Sequence, residues 1–411
     1  MSKVSNPILI IGGGLGGLSL AQGLKKKGIP FRIFERDGAA SFRAQGYRIR
    51  LDERGIGSLE KLLPRPLFDL AEKTSSPVVS GGHRFDALTG EKSEARFGGG
   101  GPQRGTGPNW NVDRTVIRNV LLQGLEKDID FGKRLERYEF ASESTSDDKS
   151  VTARFADGTS ATGRMIVGAD GVRSHVRRQL VPGHTLLDTE MRAIFGKTPI
   201  PEGIPPPIRD TVAQGMNVTA EENSNGRAVL FSDTMRFDHG VDTSPAEAVQ
   251  LPDDYIYWVL TFAKTRTEVD DKTLMTYNGE QSAKLAEELT KAWNMSDRTI
   301  VTKQDPDAAS ALFFLMARPD LDTLPTDARV TLLGDAAHSM PPLGGVGANS
   351  AFEDAAELAD VLGQGEVGDE AIGAYDKTVR DRASGWLGMS IAGSTKLFGM
   401  RPIEELKSFA L

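Results

Sequence analysis

The stretch Ile8-Leu9-Ile10-Ile11-Gly12-Gly13-Gly14-Leu15-Gly16-Gly17 constrains this chain more than any other. A short apolar run, mostly β-branched and suited to a parallel strand buried on both faces, passes directly into a glycine turn. Leu18 to Lys27 then carries Leu18, Ala21 and Leu24 on one face and reads as a helix, which Gly28-Ile29-Pro30 ends. Phe31 to Phe34 reads as a second strand, with Glu35 at its end. This is G-x-G-x-x-G in a strand–turn–helix–strand setting. Gly12 permits the tight turn, Gly14 lets backbone approach a pyrophosphate, and Gly17 lets the helix pack on the strand. The helix N-terminus presents unpaired amides and the positive end of its dipole. Glu35 lies 18 residues after Gly17, near the ~20 expected of the acid that accepts ribose hydroxyls. A dinucleotide site is therefore expected, and the carboxylate disfavours a 2′-phosphate there. The pattern alone does not separate FAD from NAD.

With 411 residues the chain is long for one compact core, and two lobes are expected. Net charge is 49 − 57 = −8, so no global basic field favours nucleic acid or anionic lipid. The absence of cysteine excludes disulfides, thiolate metal sites and dithiol redox catalysis, and fits a reducing compartment. Ile8 to Ile11 is too short for a signal-peptide core, and no later stretch reaches the ~18 apolar residues of a membrane span. Histidines occur at 83, 175, 184, 239 and 338, without metal-ligand spacing. The expectation is a cytoplasmic protein, monomer or homodimer, with no metal, nucleic-acid partner or membrane span.

Two later stretches follow a similar logic. Arg154 to Val167 reads as a hairpin in which VTARF and TGRMIV flank the turn Asp157-Gly158. Gly168-Ala169-Asp170-Gly171 then turns tightly, and Ser174 is placed to cap the next helix. Farther on, Val330 to Leu333 reads as a buried strand closed by Gly334-Asp335, and Pro341-Pro342 forces a non-helical passage. GGVGAN leads into a helix over about 350–362, with amides at Gly345 to Asn349 facing whatever precedes it. Asp335, His338 and Ser339 do not read as a hydrolase triad. No G-x-S-x-G elbow exists, and Ser339 precedes two prolines. His338 is expected to be structural, hydrogen-bonded to backbone.

GGGLGG with Glu35, GADGVRSHVR and GDAAHSMPPLGGVGANSAFEDAAEL occur in the order and spacing of the class A flavoprotein monooxygenases, typified by para-hydroxybenzoate and salicylate hydroxylases. NWNVDRTVIRNVLLQGL resembles that family's arginine-bearing helix, and together the motifs span residues 8–363. The resemblance implies an α/β fold: a Rossmann-type, glutathione-reductase-like FAD-binding domain, an interleaved antiparallel β-sheet substrate domain, and C-terminal helices. It implies FAD as cofactor and NADPH or NADH as transient co-substrate. It places Gly12, Gly14 and Gly17 at the FAD pyrophosphate and Glu35 at the adenosine ribose. Arg36 and Arg43 resemble arginines near the FAD phosphates and adenine, and Arg114 one that reaches the pyrophosphate or ribityl chain. Asp170 resembles the acid that serves FAD and indirectly NAD(P)H, and Asp335 the acid that accepts ribityl hydroxyls. Gly345, Gly347, Ala348 and Asn349 are placed against the flavin N1–C2=O edge. The implied reaction uses O2 and a flavin C4a-(hydro)peroxide to hydroxylate, epoxidise or Baeyer–Villiger oxidise a small aromatic or polycyclic substrate.

Residues 1–75, 105–180 and 325–363 are expected to form the FAD-binding domain, 76–104 and 181–324 the substrate domain, and 364–411 a C-terminal helical region. RAIFGK, RAVLFS, DYIYWVLTF and ALFFLMA read as strands of the antiparallel sheet. Phe195, Tyr255, Trp258, Phe313 and Phe314 are pocket or core candidates. The glycine-rich stretch 97–110 is either a mobile lid or a surface loop. Arg192, in MRAIFGK, stands where several fungal relatives carry a catalytic arginine and is the catalytic candidate. Two rival readings remain: an FAD reductase or desaturase of the geranylgeranyl-reductase type, and a non-enzymatic relative of the Rab GDP-dissociation inhibitors. Glu35, Asp170 and Asp335 argue against the second.

Overall fold

The computed structural model describes residues 6–39, 47–79, 81–94, 107–141, 150–200, 203–213, 215–244, 249–321, 323–342 and 345–409. Arg43 and positions 95–106 of the glycine-rich region lie outside these residues.

Ile8–Ile11 is the middle strand of a five-stranded parallel sheet ordered 330–332, 165–168, 8–11, 31–35, 129–131. Side-chain alternation divides its core. Ile8, Ile10, Ile33 and Val167 pack under helices Leu15–Lys26 and Val346–Leu362, while Leu9, Ile11, Phe34 and Leu332 face Tyr138 and Phe155 of a three-stranded sheet. Both faces are covered at the centre, which is why Ile8–Ile11 and Met165–Gly168 are apolar throughout rather than alternating. Each phosphate-type turn thus leaves the carboxyl end of a strand in the same sheet, where ligands of open α/β sheets bind.

A second sheet of seven strands runs 310–316, 186–199, 255–263, 226–235, 217–223, 84–86, with 407–409 added beside 186–188. All its pairings are antiparallel except that of 84–86 with 217–223. One face carries Ile194, Trp258 and Phe262 against helices Pro206–Val212, Gly279–Leu289 and Met295–Thr302. The other carries Met191, Phe195, Phe231, Tyr255 and Tyr257 and packs on Tyr47 and Phe398.

Three expectations change. The hairpin is shorter than its sequence suggests: Val151–Phe155 pairs with Ser160–Gly163, and Met165–Gly168 leaves to join the parallel sheet. MIVG is apolar on both faces, as the central sheet requires and a half-exposed hairpin does not. Helices occupy parts of 206–302 that read only as breaks between strands. The C-terminal region has the expected helix, Asp369–Phe398, but ends in the strand Lys407–Phe409, paired into the second sheet.

Candidate functional site

At the first turn, glycine is required by geometry. Gly12 has φ 114°, and a Cβ there would meet Ala169 O at 2.3 Å. A Cβ on Gly17 would meet Gly12 O at 2.1 Å. At Gly14 a Cβ would meet nothing within 4 Å, so the turn opens on free space at the helix N-terminus, where the amides lack intrahelical partners. Glu35 stands beside this opening. Its Oε2 accepts from Gly13 N at 2.7 Å and its Oε1 from Asp37 N at 2.9 Å, leaving further lone pairs on both oxygens. Arg118 Nε donates to Gly13 O at 3.1 Å. Sequence reasoning singled out Arg114 and missed Arg118, although the i, i+4 spacing puts both on one helix face.

The second and third turns meet the first. Asp170 Oδ2 accepts from His175 N at 2.7 Å, which folds the 168–171 turn back on the helix His175–Leu180. Its Oδ1 is buried without a partner among the described residues, and burial raises its pKa despite those hydrogen bonds. Arg177, another residue the sequence reading passed over, donates to Val172 O at 2.6 Å, Ala336 O at 2.7 Å and Asp335 O at 3.3 Å. It thereby ties the second turn to the short helix Asp335–His338. Asp335 itself is exposed to solvent. Its Oδ1 lies 4.0 Å from where a Gly347 Cβ would stand, so this acid and the N-terminus of helix Val346–Leu362 face each other.

That helix starts four residues earlier than its sequence suggests, after Gly345 in the left-handed conformation (φ 61°). In such a helix the amides without an intrahelical acceptor are those of 345–348, and the Asn349 amide is the first that can bond back. The Asn349 side chain is also committed. Its Nδ2 donates to Gly345 O at 2.7 Å and Arg50 O at 3.0 Å, and its Oδ1 accepts from Asp52 N at 3.1 Å. Asn349 is thus a clamp between the helix N-terminus and the strand Arg48–Leu51. His338 departs from expectation in its partner: Nε2 lies 2.6 Å from Asp354 Oδ2, with both residues buried. Asp354 also accepts from Gly334 N at 2.9 Å and from Arg382 at 2.7 Å. Burial alone would lower the pKa of His338, but Asp354 outweighs it and raises it.

Arg114 packs over the Tyr47 ring at 5.4 Å and has no side-chain hydrogen bond among the described residues, so its donors remain available. Its charge also favours the ionised form of Asp335. Arg36 is exposed, 3.8 Å from Asp37. Residues 5–387 match the family described as FAD binding domain. The chain belongs to that family.

Within this FAD-binding family the chain is 35% identical to the dual O-methyltransferase/FAD-dependent monooxygenase elcB of Phaeosphaeria nodorum, over 97% of this chain and 47% of that protein. It is 34% identical to the dual O-methyltransferase/FAD-dependent monooxygenase CTB3 of Cercospora beticola, over 99% of this chain and 48% of that protein. The chain thus spans about half the length of these relatives. An FAD-containing protein of Photorhabdus luminescens, assigned to the monooxygenases, superposes with a TM-score of 0.76 at 27% identity, covering 96% of this chain and 99% of that one. FAD is the cofactor of the chain. The site suits it: free space at Gly14, a helix N-terminus, a held carboxylate at Glu35, an unpartnered oxygen on Asp170 and an open one on Asp335 are what a pyrophosphate and sugar hydroxyls need.

Arg192 is not brought to this site. On its strand Met191, Ala193 and Phe195 face Tyr47, so Arg192 faces the helices. All five of its N–H donors are taken: Nε by Asp271, Nη1 by Asp188 and Met191 O, and Nη2 by both carboxylates, at 2.8–3.0 Å. Its guanidinium also lies 4.5 Å from the Phe313 ring. The expectation that it is catalytic fails on direction and on donor count. Among the pocket candidates, Trp258 and Phe313 share this helix-covered side, whereas Phe195, Tyr255 and Phe314 belong to the other. No group of three or more His, Asp or Glu among the described residues could hold a metal. No helix there is long and apolar enough to cross a membrane.

Proposed function

We propose that this chain is an FAD-dependent monooxygenase that uses NAD(P)H and O2 to oxygenate a small aromatic or polycyclic molecule. The observation that carries the proposal is the meeting of two surfaces: the cradle formed by the three turns, and an aromatic sheet face that reaches it through Tyr47. Bound FAD supplies the redox chemistry and the activation of oxygen. Gly14 and the Leu15–Lys26 amides hold its pyrophosphate, Glu35 its adenosine ribose, Asp335 its ribityl hydroxyls, and the amides of 345–348 its pyrimidine edge. Arg114 and Arg118 balance phosphate charge from one helix face. The apolar sheet face orients the substrate and excludes water, which strengthens every polar contact in the pocket. Two lobes follow, one around the parallel sheet and one around the seven-stranded sheet. The names of elcB and CTB3 pair this chemistry with O-methylation, which supports a phenolic product.

The test is NADH and NADPH oxidation by the FAD-loaded protein against a panel of phenols and fused-ring phenols, under 18O2 with product mass. One labelled oxygen in the product is expected. A reduced or desaturated product without label would establish the reductase reading instead. Asp335→Ala should purify with little FAD, and a fully yellow, active variant would overturn the cradle assignment.

A further inference from the structure

Two ion pairs with a buried carboxylate tie the seven-stranded sheet to the cofactor side. One joins Asp233 to Arg48 at 3.2 Å, on the strand that Asn349 clamps. The other joins Lys197 Nζ to Asp113 Oδ2 at 2.6 Å. Asp113 ends the strand Trp110–Asp113 and caps the helix Arg114–Leu122. Its side chain is 1% exposed, and four donors fill the lone-pair sites of its carboxylate. Oδ1 accepts from Thr115 N at 2.8 Å and Val116 N at 3.2 Å, both on the helix. Oδ2 accepts from Lys197 and, at 2.8 Å, from the Tyr255 hydroxyl, both on the sheet. One carboxylate oxygen thus serves the helix and the other serves the sheet.

The capped helix is also anchored in the cradle. Arg118 Nε donates to Gly13 O at 3.1 Å, inside the first turn, and the Gln22 side chain donates to Leu121 O and Gln123 O at the far end. Arg114 is the residue next to Asp113. It packs over Tyr47 and has no side-chain hydrogen bond among the described residues. The sheet donors decide where that guanidinium can go. Lys197 is fixed by its contact with the Tyr255 ring at 4.3 Å as well as by Asp113. Burial and the Asp113 charge hold the Tyr255 hydroxyl protonated far above the ordinary range for tyrosine, so it stays a donor. With both in place, Asp113 is saturated and its charge is offset. Without Lys197, a buried carboxylate would regain a bare lone pair beside a guanidinium with five free donors, and a charged pair of that kind is strongly attractive away from water. Arg114 would then turn to Asp113 instead of to phosphate.

We infer that Lys197 and Tyr255, from the seven-stranded sheet, are positioning residues for the cofactor: they occupy Asp113 and so leave Arg114 to the FAD pyrophosphate. The inference rests on the cradle reading and adds to it a dependence of FAD retention on the second sheet. Diluting the FAD-loaded protein and following the fluorescence of released flavin gives the FAD Kd. Lys197→Met should raise it roughly tenfold, within the ~5–150-fold usual for coupled sites, and Lys197→Arg should recover most of the loss. In an Arg114→Met background, Lys197→Met should change Kd by less than about twofold, because the arginine it misdirects is gone; a role in fold stability alone would leave the two losses additive. Tyr255→Phe is nearly isosteric, should show a smaller loss of the same pattern, and decides the matter if Lys197→Met does not fold. Lys264→Met removes a lysine that pairs with Asp271 instead and should leave Kd unchanged. An unmoved Kd in Lys197→Met, losses that add fully to that of Arg114→Met, no recovery in Lys197→Arg, or an equal loss in Lys264→Met would each overturn the inference. A wild-type Kd in Arg114→Met alone would instead sink the reading beneath it.

Discussion

Replacing Arg192 by Met separates a structural arginine from a catalytic one. The guanidinium is 1% exposed, and its partners Asp188 and Asp271 are 14% and 27% exposed. Removing one member of a buried ion pair costs about 3–5 kcal/mol, because the remaining charge is stranded. Both carboxylates here retain some water, and Lys264 also contacts Asp271, which favours the lower end, about 3 kcal/mol. Methionine keeps an apolar contact with the Phe313 ring, so the cavity contribution should be small. At roughly 2–4 °C per kcal/mol for a large domain, the unfolding midpoint should fall by about 6–12 °C. Thermal unfolding of the FAD-loaded protein gives the midpoint, and steady-state turnover well below both midpoints gives the chemistry. Arg192→Met should keep kcat and KM within about twofold of wild type at the lower temperature, since only the stranded carboxylates change. An unchanged midpoint with turnover reduced about a hundredfold would show that the donors counted as occupied are released to substrate, and the structural argument would be wrong.

Gly14→Ala and Gly17→Ala should part company. The first adds a methyl to open space and should leave the FAD-free midpoint nearly unchanged while abolishing FAD uptake, read as absorbance near 450 nm; the second places Cβ 2.1 Å from Gly12 O and should lower the FAD-free midpoint as well. Asn349→Ala removes three hydrogen bonds of about 1 kcal/mol each, so denaturant unfolding should show a loss of about 3 kcal/mol together with weaker FAD binding. Asn349→Asp should be worse, because it turns an oxygen toward two carbonyls, and a milder effect would refute the clamp. His338 binds its proton more tightly folded than unfolded, so its contribution is complete below about pH 6.5 and is lost as pH rises through the raised folded value. The midpoints of wild type and His338→Gln should therefore converge with increasing pH, and parallel curves would exclude the His338–Asp354 pair as the cause.

The cradle was largely legible because its signals are local. Gly12, Gly14, Gly17 and Glu35 sit within one strand–turn–helix–strand unit, and Asp170 and Asp335 each follow a recognisable strand end. Arg118 was within reach of the same logic, one helical turn beyond Arg114. So was helix Gly279–Leu289, whose capping box pairs Asn278 with Gln281. Arg192 was misread for a physical reason. Its strand is apolar on both faces, so alternation assigns residues to opposite sides without saying which side meets the cofactor. Asp354, Arg177 and the Arg48–Asp233 pair join segments 16 to 185 positions apart in the chain, and no periodicity records such distances.

The Arg177 staple carries a practical lesson for recombining chains of this family. It reaches only main-chain oxygens, at 172, 335 and 336. Its demand on sequence is therefore one-sided: an arginine must stand at 177, but any residue that keeps the backbone path can stand opposite. A chimera that exchanges the segment around 330–340 between relatives should keep the joint intact, whereas drift at position 177 alone would loosen two cofactor turns at once.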